Sequence, residues 1–269
     1  MLENIIVVMV KTRFPENIGM VARACANMGA GSMVLVEPEL WDMEKAKPLA
    51  TSKGLSILEN LSVVGTIAEA VKDCAVVVGT TARTGGWRRD IATPSVISPE
   101  IARILAHGDK VALLLGPEDR GLNNEEIEHC TRLVTIPTAA EASSLNVAQA
   151  ALLMLYEWHK AWQECRQSTA YVSKHAEIVP EKSTEKEPEK HSDNDASRRI
   201  SQKENTILFE TLRATLLEID YLKQDNTDYF LMPLRRFLGK QDIVRHEFDM
   251  LMGICRQVRR LAKLHNKSL

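Results

Sequence analysis

The stretch Val111-Ala112-Leu113-Leu114-Leu115-Gly116-Pro117-Glu118-Asp119-Arg120-Gly121-Leu122-Asn123-Asn124 decides how this chain folds. Five apolar residues without polar alternation read as a strand buried on both faces, and such strands belong to parallel sheets covered by helices. Gly116-Pro117 ends the run. A carboxylate and an arginine then stand between two glycines, ahead of a short helix expected over 124–130. In open parallel sheets ligands lie beyond the carboxyl ends of the strands. Residues 116–123 therefore fall where chemistry is expected. Taken alone, they fit a tight turn closed by an N-cap at Asn123 or Asn124 equally well.

The same alternation extends outward from this stretch. Residues 4–10, 33–36, 61–64, 75–79 and 133–136 read as strands. Residues 16–28, 67–72 and 145–162 have helical spacing. The expectation is an α/β domain with a parallel sheet over residues 1–165. Three more post-strand segments carry polar or small residues. Asn17 and Arg23 lie at the start and on one flank of an otherwise apolar helix, as functional groups or as a turn residue and a surface arginine. Gly79-Thr80-Thr81-Ala82-Arg83 is small enough for a ligand to approach the backbone, though it also fits an ordinary loop. Ile136-Pro137 leads to Ser143-Ser144-Leu145-Asn146 at the head of the long helix. There Ser144 suits a cap and Asn146 a first-turn position.

Composition bounds the rest. The 269 residues are 45% apolar and 26% charged, near the globular average, which excludes collagen-like, wholly disordered and coiled-coil classes. No apolar run approaches the roughly 18 residues of a membrane span, and the start lacks the basic region of a signal peptide. Five cysteines without CxxC spacing argue against a disulfide framework or a zinc site and favour a reducing cytoplasm. No metal is expected.

A net charge of −2 seems at first to exclude nucleic acid, but the charge is uneven. Residues 1–165 are net −5, residues 166–200 net 0 and residues 201–269 net +3, with +6 concentrated in residues 234–269. Residues 166–200 read as a flexible charged linker, because their core over 180–197, with Pro180, Pro188 and almost no apolar side chain, cannot offset the entropy of ordering; an exposed charged helix is the alternative. Beyond it, residues 202–219, 229–237 and 243–264 read as three helices of a small all-α domain. Arg235, Arg236, Arg256, Arg259, Arg260 and Lys263 form its basic set, a phosphate-binding face or simply a solvated one.

Three of the post-strand segments, in order, carry a resemblance. Pro15-x-Asn17-Ile18-Gly19-x-x-Ala22-Arg23-Ala24-x-x-Asn27-x-Gly29, then Leu113-Leu114-Leu115-Gly116-Pro117-Glu118-x-x-Gly121-Leu122, then Ile136-Pro137-x6-Ser144-Leu145-Asn146-Val147-x-x-Ala150 resemble the SPOUT superfamily of knotted RNA methyltransferases, in its TrmH-like ribose 2′-O-methyltransferase branch. The resemblance covers about residues 3–162. More loosely, Met232-x-x-Leu234-Arg235-Arg236-Phe237 and Glu247-x-x-x-Leu251-Met252-Gly253-Ile254 resemble the helical extension of TrmJ-type tRNA methyltransferases, which act on a cytidine or uridine at nucleotide 32.

The resemblance implies a parallel sheet closed by a C-terminal trefoil knot, S-adenosylmethionine as methyl donor, tRNA as substrate and a homodimer. It assigns the donor to three knotted loops, here Thr80, Thr81, Ala82 and Arg83; Leu115, Gly116, Pro117, Glu118 and Gly121; and Ile136, Pro137, Ser143, Ser144 and Leu145. It assigns the chemistry to Arg23, with Asn17, Glu118, Ser144 and Asn146 in support, and lets Asn17 and Arg23 complete the partner subunit's pocket. The residues themselves add that no phosphate-cradling glycine loop is present, as a donor without phosphate permits. An rRNA ribose methyltransferase, expected to carry its accessory domain ahead of the catalytic one, and a non-catalytic RNA-binding protein of the same fold are the alternatives.

Overall fold

The computed structural model describes residues 2–83, 91–176, 198–222 and 243–265, together with Leu231, Leu234, Leu238 and Gln241. It divides into one unit over Met1–Pro188 and another over Glu189–Leu269.

In the first unit the strands are β1 (Ile5–Val10), β2 (Ser32–Val36), β3 (Ser62–Val64), β4 (Val76–Thr80), β5 (Ile91–Ala92), β6 (Val111–Leu115) and β7 (Arg132–Val134). They form a single sheet in the order β3-β2-β1-β6-β4-β7-β5, and each pairing is parallel. β6 runs against β1 from Ile5↔Val111 to Met9↔Leu115. Chain order reverses between β1 and β6, which makes a crevice at their carboxyl ends. β7 enters between β4 and β5, in keeping with the threaded course that the resemblance implies.

The helices are α1 (Pro15–Met28), α2 (Met43–Glu59), α3 (Ile67–Val71), α4 (Pro94–Ala106), α5 (Asn124–Ile127) and α6 (Val147–Ala176). Alternate strand residues face opposite layers. Val7, Met9, Val111, Leu113, Leu115 and Val78 join a core with α1, α2, α4 and α6. Val8, Val10, Ala112, Leu114 and Val77 meet Ile67 and Val71 of α3 on the other face. The central strands are apolar at every position because both faces are covered.

Some elements differ from the sequence reading. α2 was not expected: Pro48 and a break at Thr51 (φ 58°) interrupt it, and its apolar spacing is weak. The short β5 and α4 were also missed; α4 opens on Pro94 and contains Pro99, which read as loop signals. The long helix begins at Val147 rather than Leu145 and runs to Ala176, past the expected boundary at 165, with no proline to stop it before Pro180. Residues 177–197 of the expected linker lie outside the described residues.

α1 and α2 approach closely because glycines face them. A β-carbon on Gly19 would meet the Ala46 carbonyl, and one on Gly54 would lie 2.9 Å from the Arg23 amide nitrogen. The segment that carries Asn17 and Arg23 is thus seated on α2 without intervening side chains.

In the second unit, α7 (Gln202–Glu218) and α8 (Arg245–His265) enclose Ile200, Leu208, Leu238, Ile243 and Phe248. The expected helix over 229–237 lies mostly outside the described residues. Glu204 closes a capping box on Ser201. It also receives Arg198 at 2.8 and 3.1 Å and Arg245 at 2.6 Å. The Arg198 guanidinium above all holds its carboxyl down at about 2, against burial.

Two outcomes follow. Gly19→Ala, which on an open helix would stabilise by up to about 1 kcal/mol, destabilises here by about 1–3 kcal/mol through overpacking, read from urea unfolding of the whole chain. Because the Glu204 pKa is depressed on folding, its contribution is complete above the ordinary carboxylate value of about 4.3. It is lost as pH falls toward about 2. Hydrogen-exchange protection of α7 is expected to drop over that window in the wild type and to show no such drop in Glu204→Gln.

Candidate functional site

Sheet order brings the four chemistry-bearing segments together. β1, β6, β4 and β7 are consecutive in the sheet, so the chain leaving each passes over one crevice. The result is a cavity of about 510 Å³. Its walls include Phe14 and Asn17 after β1, Thr80–Arg83 after β4, Leu115–Leu122 after β6, and Ile136 with Ser143–Val147 after β7.

Glu118 ties the first of these segments to the third. Its Oε1 accepts from the Thr12 hydroxyl at 2.9 Å and from the Asn17 amide at 2.8 Å, and its Oε2 accepts from the Arg13 backbone N–H at 3.1 Å. Asn17, buried, also accepts from the Asn146 amide at 3.0 Å. Asn146 in turn caps α6, accepting from the Ala148 N–H at 2.8 Å. The cap is therefore Asn146, not Ser144. One polar chain, Thr12 and Asn17 to Glu118 and Asn17 to Asn146, spans residues more than a hundred positions apart.

The loop after β6 is held by a second network. Arg120 donates to both oxygens of Glu126 at 3.0 and 2.8 Å. Glu126 completes a capping box with Asn123, so the turn reading of this stretch is correct alongside its place in the cavity. Burial alone would raise the Glu126 pKa, but Arg120 and the Asn123 amide hold it below its usual value. Arg83 donates to the Arg120 carbonyl, joining the loops after β4 and β6. A β-carbon on Gly116 would meet the Leu122 amide nitrogen, so backbone approaches backbone here as no other residue permits.

Most of the expected donor-binding residues line this cavity: Thr80, Thr81, Ala82, Arg83, Leu115, Gly116, Pro117, Glu118, Gly121, Ile136, Ser143, Ser144 and Leu145. Pro137 does not. Asn17 and Asn146 line it as well, but Arg23 does not. Arg23 is exposed and makes no ion pair or side-chain hydrogen bond among the described residues. Asn17 thus lines the cavity of its own chain, held by Glu118 and Asn146, whereas Arg23 is exposed outside it.

The sequence reading missed Arg13, Phe14 and Asp119. Arg13 bridges Glu39 at 2.9 Å and Asp119 at 2.8 Å, and Asp119 and Phe14 line the cavity. Position just after an expected strand end was the signal available for Arg13 and Phe14. Cys25 is not a reactive group: burial pushes its thiol up to about 12. All five cysteines are free.

In the second unit Arg259 pairs with Glu218 at 2.6 Å, and Lys263 lies 3.9 Å from the same carboxyl group. Arg256 and Arg260 are exposed and make no ion pair among the described residues. Arg235 and Arg236 lie outside the described residues. Among the described residues no helix is long and apolar enough to cross a membrane.

Similar proteins share both the sequence and the fold. The chain is 32% identical over 263 residues to the tRNA (cytidine/uridine/adenosine-2′-O-)-methyltransferase TrmJ of Pseudomonas aeruginosa, covering 98% of this chain and 96% of that one. It is 37% identical over 181 residues to the tRNA (cytidine/uridine-2′-O-)-methyltransferase TrmJ of Sodalis glossinidius, covering 67% and 69%. The crystal structure of TrmJ from Z. mobilis ZM4 matches with a TM-score of 0.70 at 28% identity, over 94% of this chain and 97% of that one. The model of the SpoU rRNA Methylase family matches residues 4–156. That match takes in every segment lining the cavity, from β1 to the start of α6: the chain belongs to the SpoU rRNA Methylase family.

Proposed function

We propose that this chain transfers a methyl group from S-adenosylmethionine to the ribose 2′-oxygen of a tRNA cytidine or uridine, at nucleotide 32 of the anticodon loop. The observation that carries this reading is the single cavity into which the segments after β1, β4, β6 and β7 converge around Glu118. The named activities of the Pseudomonas and Sodalis relatives support the substrate class.

The donor fits the residues present. An adenosine-like ligand without phosphate needs backbone partners and an apolar slot. Thr80, Thr81, Gly116 and Gly121 offer the first, and Leu115, Leu122, Ile136 and Leu145 the second. When bound, S-adenosylmethionine supplies a methyl group on a positively charged sulfur. The protein must then place the ribose hydroxyl in line, about 3 Å away, and ease loss of its proton. Asn17, fixed by Glu118 and Asn146, and the exposed hydroxyls of Ser143 and Ser144 are suited to orienting the ribose. A guanidinium is a permanent cation. Arg23 accordingly serves by stabilising the developing 2′-oxyanion and steering an RNA phosphate.

Arg23 lies outside its own cavity, which supports a homodimer in which it completes the partner's site. The exposed Leu152, Leu153 and Tyr156 of α6 offer that interface an apolar face. The basic α8, with Arg256, Arg259, Arg260 and Lys263, would hold tRNA phosphates in a salt-dependent, sequence-insensitive way, with Arg235 and Arg236 added to it. The charged stretch after α6 would tether this module to the acidic catalytic domain. Five free cysteines suit a reducing cytoplasm.

Incubation with labelled S-adenosylmethionine and unmodified tRNA is expected to place label on the 2′-oxygen of nucleotide 32, read by mapping the methylated nucleotide. Transfer to rRNA fragments alone would make the substrate rRNA, and transfer to no RNA would refute the reading. Arg23→Ala is expected to lower turnover at least ~100-fold while donor and tRNA still bind; unchanged turnover would remove Arg23 from the chemistry. Gly116→Ala, whose new methyl collides with the Leu122 amide, is expected to lose donor binding. Co-expressed with Arg23→Ala, it should recover about a quarter of wild-type activity, because half of randomly assembled dimers then carry one complete site. No recovery would exclude a shared site.

A further inference from the structure

Phe14 is a residue that the fold does not account for. It is not core, being 52% exposed. It is not a helix cap either: it occupies the N-cap position of α1, where a short polar side chain would bond a free amide, and it makes no such bond. Among the described residues the exposed aromatics are Phe14, Tyr156 and Tyr221, and of these Phe14 alone lines the cavity.

Its placement is rigid. Pro15 follows it and restricts it to extended backbone, observed as φ −115° and ψ 109°. The residues before it are clamped: the Thr12 hydroxyl and the Arg13 amide donate to Glu118, and the Arg13 guanidinium is held by Glu39 and Asp119. The ring is thus presented at the cavity by a segment braced on three sides.

The segment also indicates what the ring meets. The loops suited to the donor follow β4, β6 and β7, whereas Phe14 comes from the segment after β1, three residues before Asn17. A ribose positioned by Asn17 carries its base on the carbon next to the reacting one, so the base lies within a few ångströms of the 2′-oxygen. A loop nucleotide drawn into this cavity leaves its neighbours in the RNA stack, and an aromatic face can replace that lost contact.

We propose that Phe14 is a substrate-binding residue that stacks on the nucleobase of the nucleotide being methylated. This rests on the RNA methyltransferase reading above. Because every base has a π-face, stacking is tolerant of base identity; Phe14 grips the nucleotide without choosing among bases.

The test is steady-state methylation of unmodified tRNA at saturating S-adenosylmethionine by the wild type, Phe14→Ala, Phe14→Leu and Phe14→Trp. Equilibrium donor binding and sedimentation are measured on each. Phe14→Ala is expected to raise KM for tRNA about tenfold or more, within the range of a lost stacking contact. Donor affinity and sedimentation should be unchanged. Phe14→Trp restores KM, and Phe14→Leu, apolar but without a π-face, does not. An unchanged KM in Phe14→Ala, or rescue by leucine, would overturn the stacking role. Weakened donor binding would place the ring on the donor side, and altered sedimentation would place it in a subunit interface; either also overturns it. Wild-type protein that methylates no RNA would overturn the methyltransferase reading and the stacking role with it, whereas an active wild type with a normal Phe14→Ala overturns stacking alone.

Discussion

Parallel pairing of β1 with β6 is the constraint on which the site depends. It sets Met9 beside Leu115, so the two chains leave the sheet together and their next residues have no alternative but to meet. The Glu118 carboxylate uses that proximity. It accepts from Thr12, Arg13 and Asn17, converting two adjacent strand ends into one braced wall. Asn146 extends the wall to the head of α6 through Asn17. A carboxylate facing this many donors keeps its neighbours oriented before any ligand arrives, and such preorganisation is what positional catalysis requires.

Close backbone contact is the second organising feature. Gly19 and Gly54 let α1 and α2 touch, and Gly116 lets the loop after β6 fold against the Leu122 amide. None of these positions has a positive φ. The glycines are there for space, not for backbone freedom. They sit under the segment carrying Asn17 and Arg23 and under the floor of the cavity, so packing and function share the same residues.

Much of this was legible in the sequence. Val111–Leu115 and the apolar run ending at Val10 announce buried parallel strands by lacking polar alternation, and every strand expected before residue 137 is present within two residues at each end. α2 was not legible because Pro48 and the Thr51 break disguise its period, and α4 because its prolines look like punctuation. At the site, the polar residues after strand ends were identifiable as candidates. Their partnerships were not, since Asn17, Glu118 and Asn146 are far apart along the chain and each has an ordinary local role: turn, loop and helix cap. Phe14 and Arg13 were overlooked because nothing in their neighbours shows that one stays exposed and the other bridges two loops.

The sequence by itself determined the class of the fold, the order of its motifs and the division of charge into an acidic sheet domain and a basic helical tail. These depend on hydrophobic patterning and composition, which are local or additive. The tertiary structure alone decided which segments share a cavity, that Asn17 faces inward while Arg23 faces out, and that Asn146 rather than Ser144 begins α6. Those facts depend on strand order and on the direction of individual side chains. Strand order is set by which buried faces match across the whole sheet, a property that no single stretch of sequence contains.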